Sequence, residues 1–366
     1  METTLTRRVA LLAAAAELSV TAAPAYAQQP PPGTTGQARE ADHTIPGFAF
    51  RDGGHMDTRM HYRTLGEQRR GADGQVTNAA LLLHGTTGTG AQFLQPSMAE
   101  HLFGPGQPLD TARWFVVMPD AIGAGGSSKP SDRLRSGFPR FGYLDQVEAQ
   151  RRLVTEGLGI AHLRLVLGTS MGGMQAWLWA GLHPGMMDVV VPVACQPVPV
   201  SGRNMMWREL ILQAIANDPG FNGGGYDVQP TLWAGIWPLF RIQTSNAAAL
   251  EKTAPTRAAA EQLTAQLVAE GRARDANDTR YMFDSSRDYD PGPLLPAITA
   301  RLHAINFADD LLNPAELGVL ERAMPAVRHG TFAVLPTSTE TQGHQTLAQA
   351  GVWSAELARA MQGLDP

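Results

Sequence analysis

The sequence predicts an α/β architecture: a mostly parallel, eight-stranded sheet with helices on both faces and a helical insertion after the sixth strand. Three observations carry this reading. From about Phe48, short Val/Leu/Ile-rich runs alternate with stretches of helical periodicity, the pattern of a parallel sheet covered by helices. Several runs, such as Ala79–His84 and Val189–Ala194, are continuously apolar or nearly so, as strands buried on both faces must be. Between Ala194 and Leu302 the alternation stops, and helical, aromatic-bearing segments replace it.

The strands are expected at Phe48–Arg51, Met60–Thr64, Ala79–His84, Trp114–Met118, Leu163–Gly168, Val189–Ala194, Leu302–Phe307 and Thr331–Leu335. Between them, Leu144–Leu158, Met171–Leu182, Ala315–Ala323 and Thr346–Met361 carry apolar residues at three- and four-residue spacing and are expected as helices. Inside the insertion, Trp207–Ala216 and Ala247–Gly271 are helical in pattern, and Trp233, Trp237, Phe240, Tyr281 and Phe283 add bulky apolar surface. An insertion after the sixth strand stands over the C-terminal edge of the sheet, where open α/β folds bind their ligands. It is therefore read as a lid. The expected organisation is a sheet core of residues 46–195 and 298–366, interrupted by a lid of residues 196–297.

The 366 residues are 43% apolar and 17% charged, with a formal net charge of −5 spread without long runs of one sign. No basic surface for nucleic acid or anionic lipid follows from this composition, so a small neutral or weakly charged substrate is expected. At the N-terminus, Arg7-Arg8 precede an apolar run from Val9 to Ala25 and the A-x-A pattern Ala25-Tyr26-Ala27. Residues 1–27 are read as a signal peptide and 28–45 as a flexible Pro/Gly/polar leader, which implies a periplasmic or secreted protein. No later run reaches the roughly 18 to 20 apolar residues of a membrane helix. Cys195 is the sole cysteine; it excludes an internal disulfide, weakens any thiolate metal site, and reads as buried filler behind an apolar run. Nothing in the sequence calls for a metal or an organic cofactor.

The chemistry is carried by Gly168-Thr169-Ser170-Met171-Gly172, which follows the apolar run from Leu163 and opens the helix from Met171. G-x-S-x-G in this strand–turn–helix setting is the nucleophile elbow of the α/β-hydrolase fold. Its flanking glycines are needed because the strained turn brings backbone segments too close for a Cβ. A serine hydroxyl is a poor nucleophile until a base takes its proton, so a histidine and an orienting carboxylate must follow, in the chain order Ser, Asp, His. The loop Ala308-Asp309-Asp310-Leu-Leu-Asn-Pro314 after the seventh strand supplies two acids. Asp310 is favoured because acid loops of this fold commonly carry Pro four residues on; Asp309 stays the alternative. His344 lies on the loop after the last strand, where the base belongs, whereas His84 precedes the serine and His329 enters the last strand from the other edge. For the oxyanion, Met171 N–H at the helix N-terminus and Thr86 N–H, in the Gly-rich loop after the third strand, are the expected donors. A second Gly-rich loop, Pro119–Ser128, is read as a turn that supports the site.

Longer motifs resemble the homoserine O-acetyltransferase branch of the α/β-hydrolases. They are Gly168-Thr-Ser-Met-Gly-Gly-Met-Gln175 with Ala176-Trp177, Ala214-Ile-Ala-Asn-Asp218-Pro-Gly-Phe-Asn-Gly-Gly-Gly-Tyr226, Met60-His-Tyr-Arg-Thr-Leu-Gly66, Asp275-Ala-Asn277, Tyr289-Asp-Pro291 and Gly343-His344. The resemblance implies a helical lid over a deep, narrow site and often a homodimer formed through lid helices. Departures accompany it. The acetyltransferases carry an Asp after the catalytic His, suited to the amino group of the acceptor, where this chain has Gln345; a neutral amide cannot match a carboxylate for an ammonium. They usually read Gly-Gly-Ser and Ala-Leu where this chain reads Gly168-Thr169-Ser170 and Gly85-Thr86. Export would also separate the enzyme from cytoplasmic acyl-CoA. On these grounds carboxylic ester hydrolysis through an acyl-enzyme is favoured, with acyl transfer to a hydroxyl or amine acceptor as the alternative. A binding protein without catalysis would share the scaffold but leave Ser170 unreactive.

Overall fold

A computed structural model describes residues 37–366. The expected signal peptide, residues 1–27, and the leader as far as residue 36 lie outside the described residues. The strands are β1 Arg39–Ala49, β2 His55–Leu65, β3 Ala79–Leu83, β4 Phe115–Pro119, β5 Leu163–Thr169, β6 Met187–Val193, β7 Arg301–Phe307 and β8 Gly330–Leu335. They form one eight-stranded sheet in the order β1-β2-β4-β3-β5-β6-β7-β8. β2 runs antiparallel to both β1 and β4, and every other pairing is parallel.

Central strands form where the sequence is apolar on both faces: all five residues of β3 are buried, and so are all five of β4. One face is covered by α1 (Pro96–Leu102) and α10 (Ala350–Ala360), whose Met98, Leu102, Trp353 and Leu357 pack on Leu82, Val116 and Leu167. The other is covered by α2 (Tyr143–Arg152), α3 (Met171–Leu182) and α9 (Val319–Ala323). α3 is buried from Met171 to Gly181, which makes the helix behind the nucleophile part of the core rather than a surface element.

The insertion between β6 and β7 contains α4 (Gly202–Ala216), α5 (Pro238–Thr244), α6 (Ala247–Thr253), α7 (Arg257–Arg272) and α8 (Ala276–Asp284). Trp207, Ile211, Ile215, Trp233, Trp237 and Phe283 give it a small core of its own, with Trp237 stacked on Phe240 at 5.2 Å and 9° between planes. No described helix is long and apolar enough to cross a membrane.

Three expectations are corrected. The first strand was expected at Phe48–Arg51, yet β1 begins at Arg39, so residues 39–45 belong to the sheet and not to a leader. Its polar residues hide it: β1 is an edge strand, exposed at Arg39–Asp42, and Glu40 and Asp42 pair across to Arg63 and His61 on β2. The helix expected over Ala247–Gly271 is two helices, with Pro255 in the break between α6 and α7; a proline cannot continue the turn before it. The helix expected over Ala315–Ala323 is interrupted at Gly318, which takes a left-handed conformation, φ +60°.

Candidate active site

β5 delivers the nucleophile. Ser170 sits at the strand-to-helix turn with φ 52° and ψ −112°, a conformation that L-residues hold only when the surroundings impose it. They do so on three sides. A Cβ at Gly168 would lie 2.0 Å from Gly172 O, one at Gly172 would lie 2.0 Å from Leu83 O, and Ser170 N–H is fixed to Val193 O at 2.8 Å. The glycines are therefore required by close approach, and the turn holds the hydroxyl at the C-terminal edge of the sheet.

Loops after β7 and β8 bring the partners. His344 Nε2 lies 2.9 Å from Ser170 Oγ, and His344 Nδ1 lies 2.7 Å from Asp310 Oδ2. With Nδ1–H donating to the carboxylate, Nε2 is the lone pair that accepts the serine proton. Ser170, His344 and Asp310 are all buried. Asp310 Oδ1 accepts the N–H groups of Leu312 at 2.8 Å and Asn313 at 3.3 Å, and Oδ2 also accepts from Asn313 Nδ2 at 2.8 Å. Burial alone raises the Asp310 pKa, but the His344 charge and the hydrogen bonds from His344, Asn313 and Leu312 outweigh it, holding the carboxyl below its ordinary value. Asp310 thus stays ionised beside the imidazole. Asp309 turns the other way: its Oδ2 accepts from Asn246 Nδ2 at 2.7 Å and from Gly343 N–H at 3.2 Å.

The two expected oxyanion donors flank the nucleophile. Met171 is the first residue of α3. Thr86 follows Gly85, where a Cβ would stand 3.7 Å from Ser170 Cβ, and it lines the same cavity as Ser170. His84 braces this loop: its Nδ1–H donates to Gly85 O at 2.8 Å and its Nε2 accepts Ala121 N–H at 2.9 Å. Burial pushes the His84 pKa down, so the ring is neutral. The second Gly-rich loop braces the first, and its Gly123, Ala124 and Gly125 also line the adjoining cleft. Buried Asp120 accepts Gly90 N–H at 2.8 Å and Gly126 N–H at 2.9 Å and pairs with Arg63.

The cavity over Ser170 measures about 150 Å³ and is lined on the lid side by Trp207, Arg208, Phe240 and Thr244. Its small size fits a short acyl chain. A cleft of about 330 Å³ adjoins it across Thr86–Gly88, reaching Lys129, Arg274 and Asp278. Burial raises the Asp278 pKa to about 6.

Arg208 was not anticipated from the sequence. It is 2% exposed, its Nε donates to Asn204 Oδ1 at 3.0 Å and its Nη2 to Thr86 Oγ1 at 3.4 Å. Its Nη1 is buried with no hydrogen-bond partner. Tyr143 lies against it: burial pushes the Tyr143 phenol pKa up, and the Arg208 charge and hydrogen bonding with Thr86 and Arg208 offset part of that rise. The guanidinium lies 5.3 Å from the Trp207 ring and 5.7 Å from Phe283. No charge pattern in the sequence marks Arg208, because its burial depends on how α4 settles over the sheet. A buried cation is costly unless its surroundings compensate it, and Asn204, Thr86, Tyr143 and the two aromatic faces do so in part here. Cys195 is buried, and burial pushes its thiol pKa far up. Among the described residues no cluster of three His, Cys, Asp or Glu side chains could hold a metal ion.

Residues 79–297 match the family model of the alpha/beta hydrolase fold. The chain belongs to the alpha/beta hydrolase family. Within it, the chain is homoserine O-acetyltransferase-like, as the motifs implied: it is 35% identical over 213 residues to the homoserine O-acetyltransferase of Acidiphilium cryptum, covering 54% of each chain. The chain thus spans about half the length of the curated relatives it matches. Among solved structures, the homoserine O-acetyltransferase from Bacillus anthracis superposes with a TM-score of 0.77 at 19% identity, covering 90% of this chain and 99% of that one. An acetylester hydrolase from Corynebacterium glutamicum gives 0.77 at 20% identity, covering 89% and 96%. The hydrolase fold is shared by both.

Proposed function

We propose that this chain is an acyltransferase that carries a short acyl group on Ser170 and passes it to a small hydroxyl acceptor bearing an anionic group. The observation that carries the reading is the line Asp310–His344–Ser170, at 2.7 and 2.9 Å, with Ser170 and His344 facing a cavity of about 150 Å³ under the lid. Ser170 Oγ attacks the carbonyl carbon of a donor ester as its proton moves to His344 Nε2. The oxyanion is met by Met171 N–H and Thr86 N–H. The tetrahedral intermediate then collapses, the donor C–O bond breaks, and His344 returns its proton to the leaving oxygen. In the second half the acceptor hydroxyl gives its proton to His344 and attacks the acyl carbon; the bond from that carbon to Ser170 Oγ then breaks, and His344 returns the proton to Oγ.

Sequence reasoning placed hydrolysis first. Its relatives by sequence reverse the order, because they include homoserine O-acetyltransferases and a homoserine O-succinyltransferase. A small pocket under a lid also favours a bound acceptor over bulk water. Arg208 suits a carboxylate on the acceptor, while Gln345 offers an ammonium only a neutral amide oxygen, a weaker partner than a carboxylate. A hydroxy acid therefore fits this site better than an amino acid does. Hydrolysis remains the second reading, favoured by Gln345 itself and by the fold shared with an acetylester hydrolase.

We further propose export, from the N-terminal pattern of residues 1–27, which makes an oxygen ester the donor in place of acyl-CoA, and homodimerisation through the lid, whose Met206, Leu210 and Leu232 are exposed. A partition experiment tests the catalytic reading. With p-nitrophenyl acetate as donor, acetylated hydroxy acid should form at the expense of free acetate; acetate alone at saturating hydroxy-acid and amino-acid acceptors would overturn transfer in favour of hydrolysis.

A further inference from the structure

Both chain neighbours of His344 are fastened to the lid. Gln345 Nε2 donates to Thr244 Oγ1 at 2.8 Å, at the end of α5. On the other side, Gly343 N–H donates to Asp309 Oδ2 at 3.2 Å, and the same oxygen accepts from Asn246 Nδ2 at 2.7 Å. Asn246 Nδ2 also donates to Thr341 O at 2.9 Å, while its Oδ1 caps α6 by accepting Ala249 N–H at 2.7 Å. Packing reinforces the bonds: Gly343 has φ +64°, and a Cβ there would stand 2.8 Å from Asn246 N and 3.0 Å from Ser245 C. α5 meanwhile supplies Phe240 and Thr244 to the wall of the Ser170 cavity. The adjacent acids thus divide the work: Asp310 turns inward to the imidazole, and Asp309 turns outward to the lid.

We propose that Asp309 is a positioning residue, a clasp that ties the lid turn Thr244–Asn246 to the histidine loop, so that the base is in register with Ser170 only while the lid is seated. The clasp rests on the reading of His344 as the base. Its logic is one of shared restraints. The loop 341–345 is held from the sheet side by the β7 acid pair and from the lid side by two side-chain amides, Asn246 and Gln345. Lifting α5 and α6 breaks the lid-side bonds together and frees the loop on which the imidazole rides. An acyl group and acceptor that hold Phe240 and Thr244 down would thereby also hold the base in place, and a site left open would lose reactivity toward water.

The decisive variants exchange the two ends of the clasp. Asn246→Asp keeps the α6 cap, since Asp and Asn cap equally well, but sets one carboxylate against another. Asn246→Asp with Asp309→Asn restores the side-chain pair in reverse and removes the charge clash, although the new NH2 also faces Gly343 N–H and the bond to Thr341 O is not regained. Two readouts are taken on the whole chain: the rate of Ser170 labelling by a fluorophosphonate, and hydrogen–deuterium exchange in segments 244–253 and 341–347. Asn246→Asp should slow labelling and speed exchange in both segments by about tenfold, the scale of one lost charge-assisted hydrogen bond, and the double variant, which regains the side-chain pair alone, should recover part of both losses. Exchange that changes in 244–253 alone, or a double variant no better than Asn246→Asp, would overturn the clasp. If Asn246→Asp cannot be purified, recovery of a folded, labelled double variant supports the clasp and failure of both overturns it. A wild-type chain that resists labelling would refute the acyl-enzyme reading, while the exchange measurement would still decide the clasp.

Discussion

Replacing Asp310 by Asn separates the triad acid from its neighbour. Four N–H donors converge on the Asp310 carboxylate: His344 Nδ1 at 2.7 Å, Asn313 Nδ2 at 2.8 Å, Leu312 N at 2.8 Å and Asn313 N at 3.3 Å. An amide has one accepting oxygen, so its NH2 must face donors whichever way it is turned. Turned toward His344, it forces Nδ1 to accept, which places the ring proton on Nε2 and removes the lone pair that Ser170 needs. Turned away, it confronts two backbone N–H groups and leaves them unsatisfied, at about 1 to 3 kcal/mol of stability. The wrong tautomer costs on the order of 10⁴-fold in kcat, roughly 5.4 kcal/mol at 1.36 kcal/mol per decade. Asp309→Asn, which keeps an oxygen for Asn246 and Gly343, should retain most activity. The assay is the acylation burst with p-nitrophenyl acetate, alongside thermal unfolding to show that both variants fold. An Asp310→Asn enzyme retaining more than about a tenth of wild-type kcat, or an Asp309→Asn enzyme falling as far as Asp310→Asn, would refute the assignment.

Three other outcomes are expected. Arg208→Met should raise KM for a carboxylate-bearing acceptor by about tenfold or more, the scale of one charge-assisted bond, with little change in fluorophosphonate labelling; equal losses in both would make Arg208 a structural prop. Because burial holds the His84 pKa below its ordinary value, the unfolded chain takes up a proton near pH 6.5 that the folded chain refuses. Stability should therefore fall as pH drops below that value, and urea unfolding of His84→Asn should show a shallower fall. Gly172→Ala, whose Cβ would sit 2.0 Å from Leu83 O, should cost about 3 kcal/mol or more in thermal unfolding, whereas Gly185→Ala, with nothing within 4 Å, should be nearly neutral.

What the sequence discloses follows from burial. β3, β4 and most of β6 read plainly because burial on both faces demands apolar runs, and the elbow reads plainly because its glycines stand at a strand end. The triad acid and base were legible from their places after β7 and β8, since an open parallel sheet gathers those loops at one edge. β1 was not, because an edge strand held by Glu40–Arg63 and Asp42–His61 has the composition of a loop. Arg208 and the Asn246–Asp309 bond were invisible for a related reason. Each depends on where the lid lies over the sheet, a long-range packing outcome that local periodicity does not encode.

The most direct test of an acyl group carried on Ser170 is peptide mapping by mass spectrometry after brief exposure to p-nitrophenyl acetate and an acid quench. One acetyl group on the peptide containing Ser170, absent from Ser170→Ala, is the predicted result. An adduct on another residue, or a burst that survives in Ser170→Ala, would contradict it.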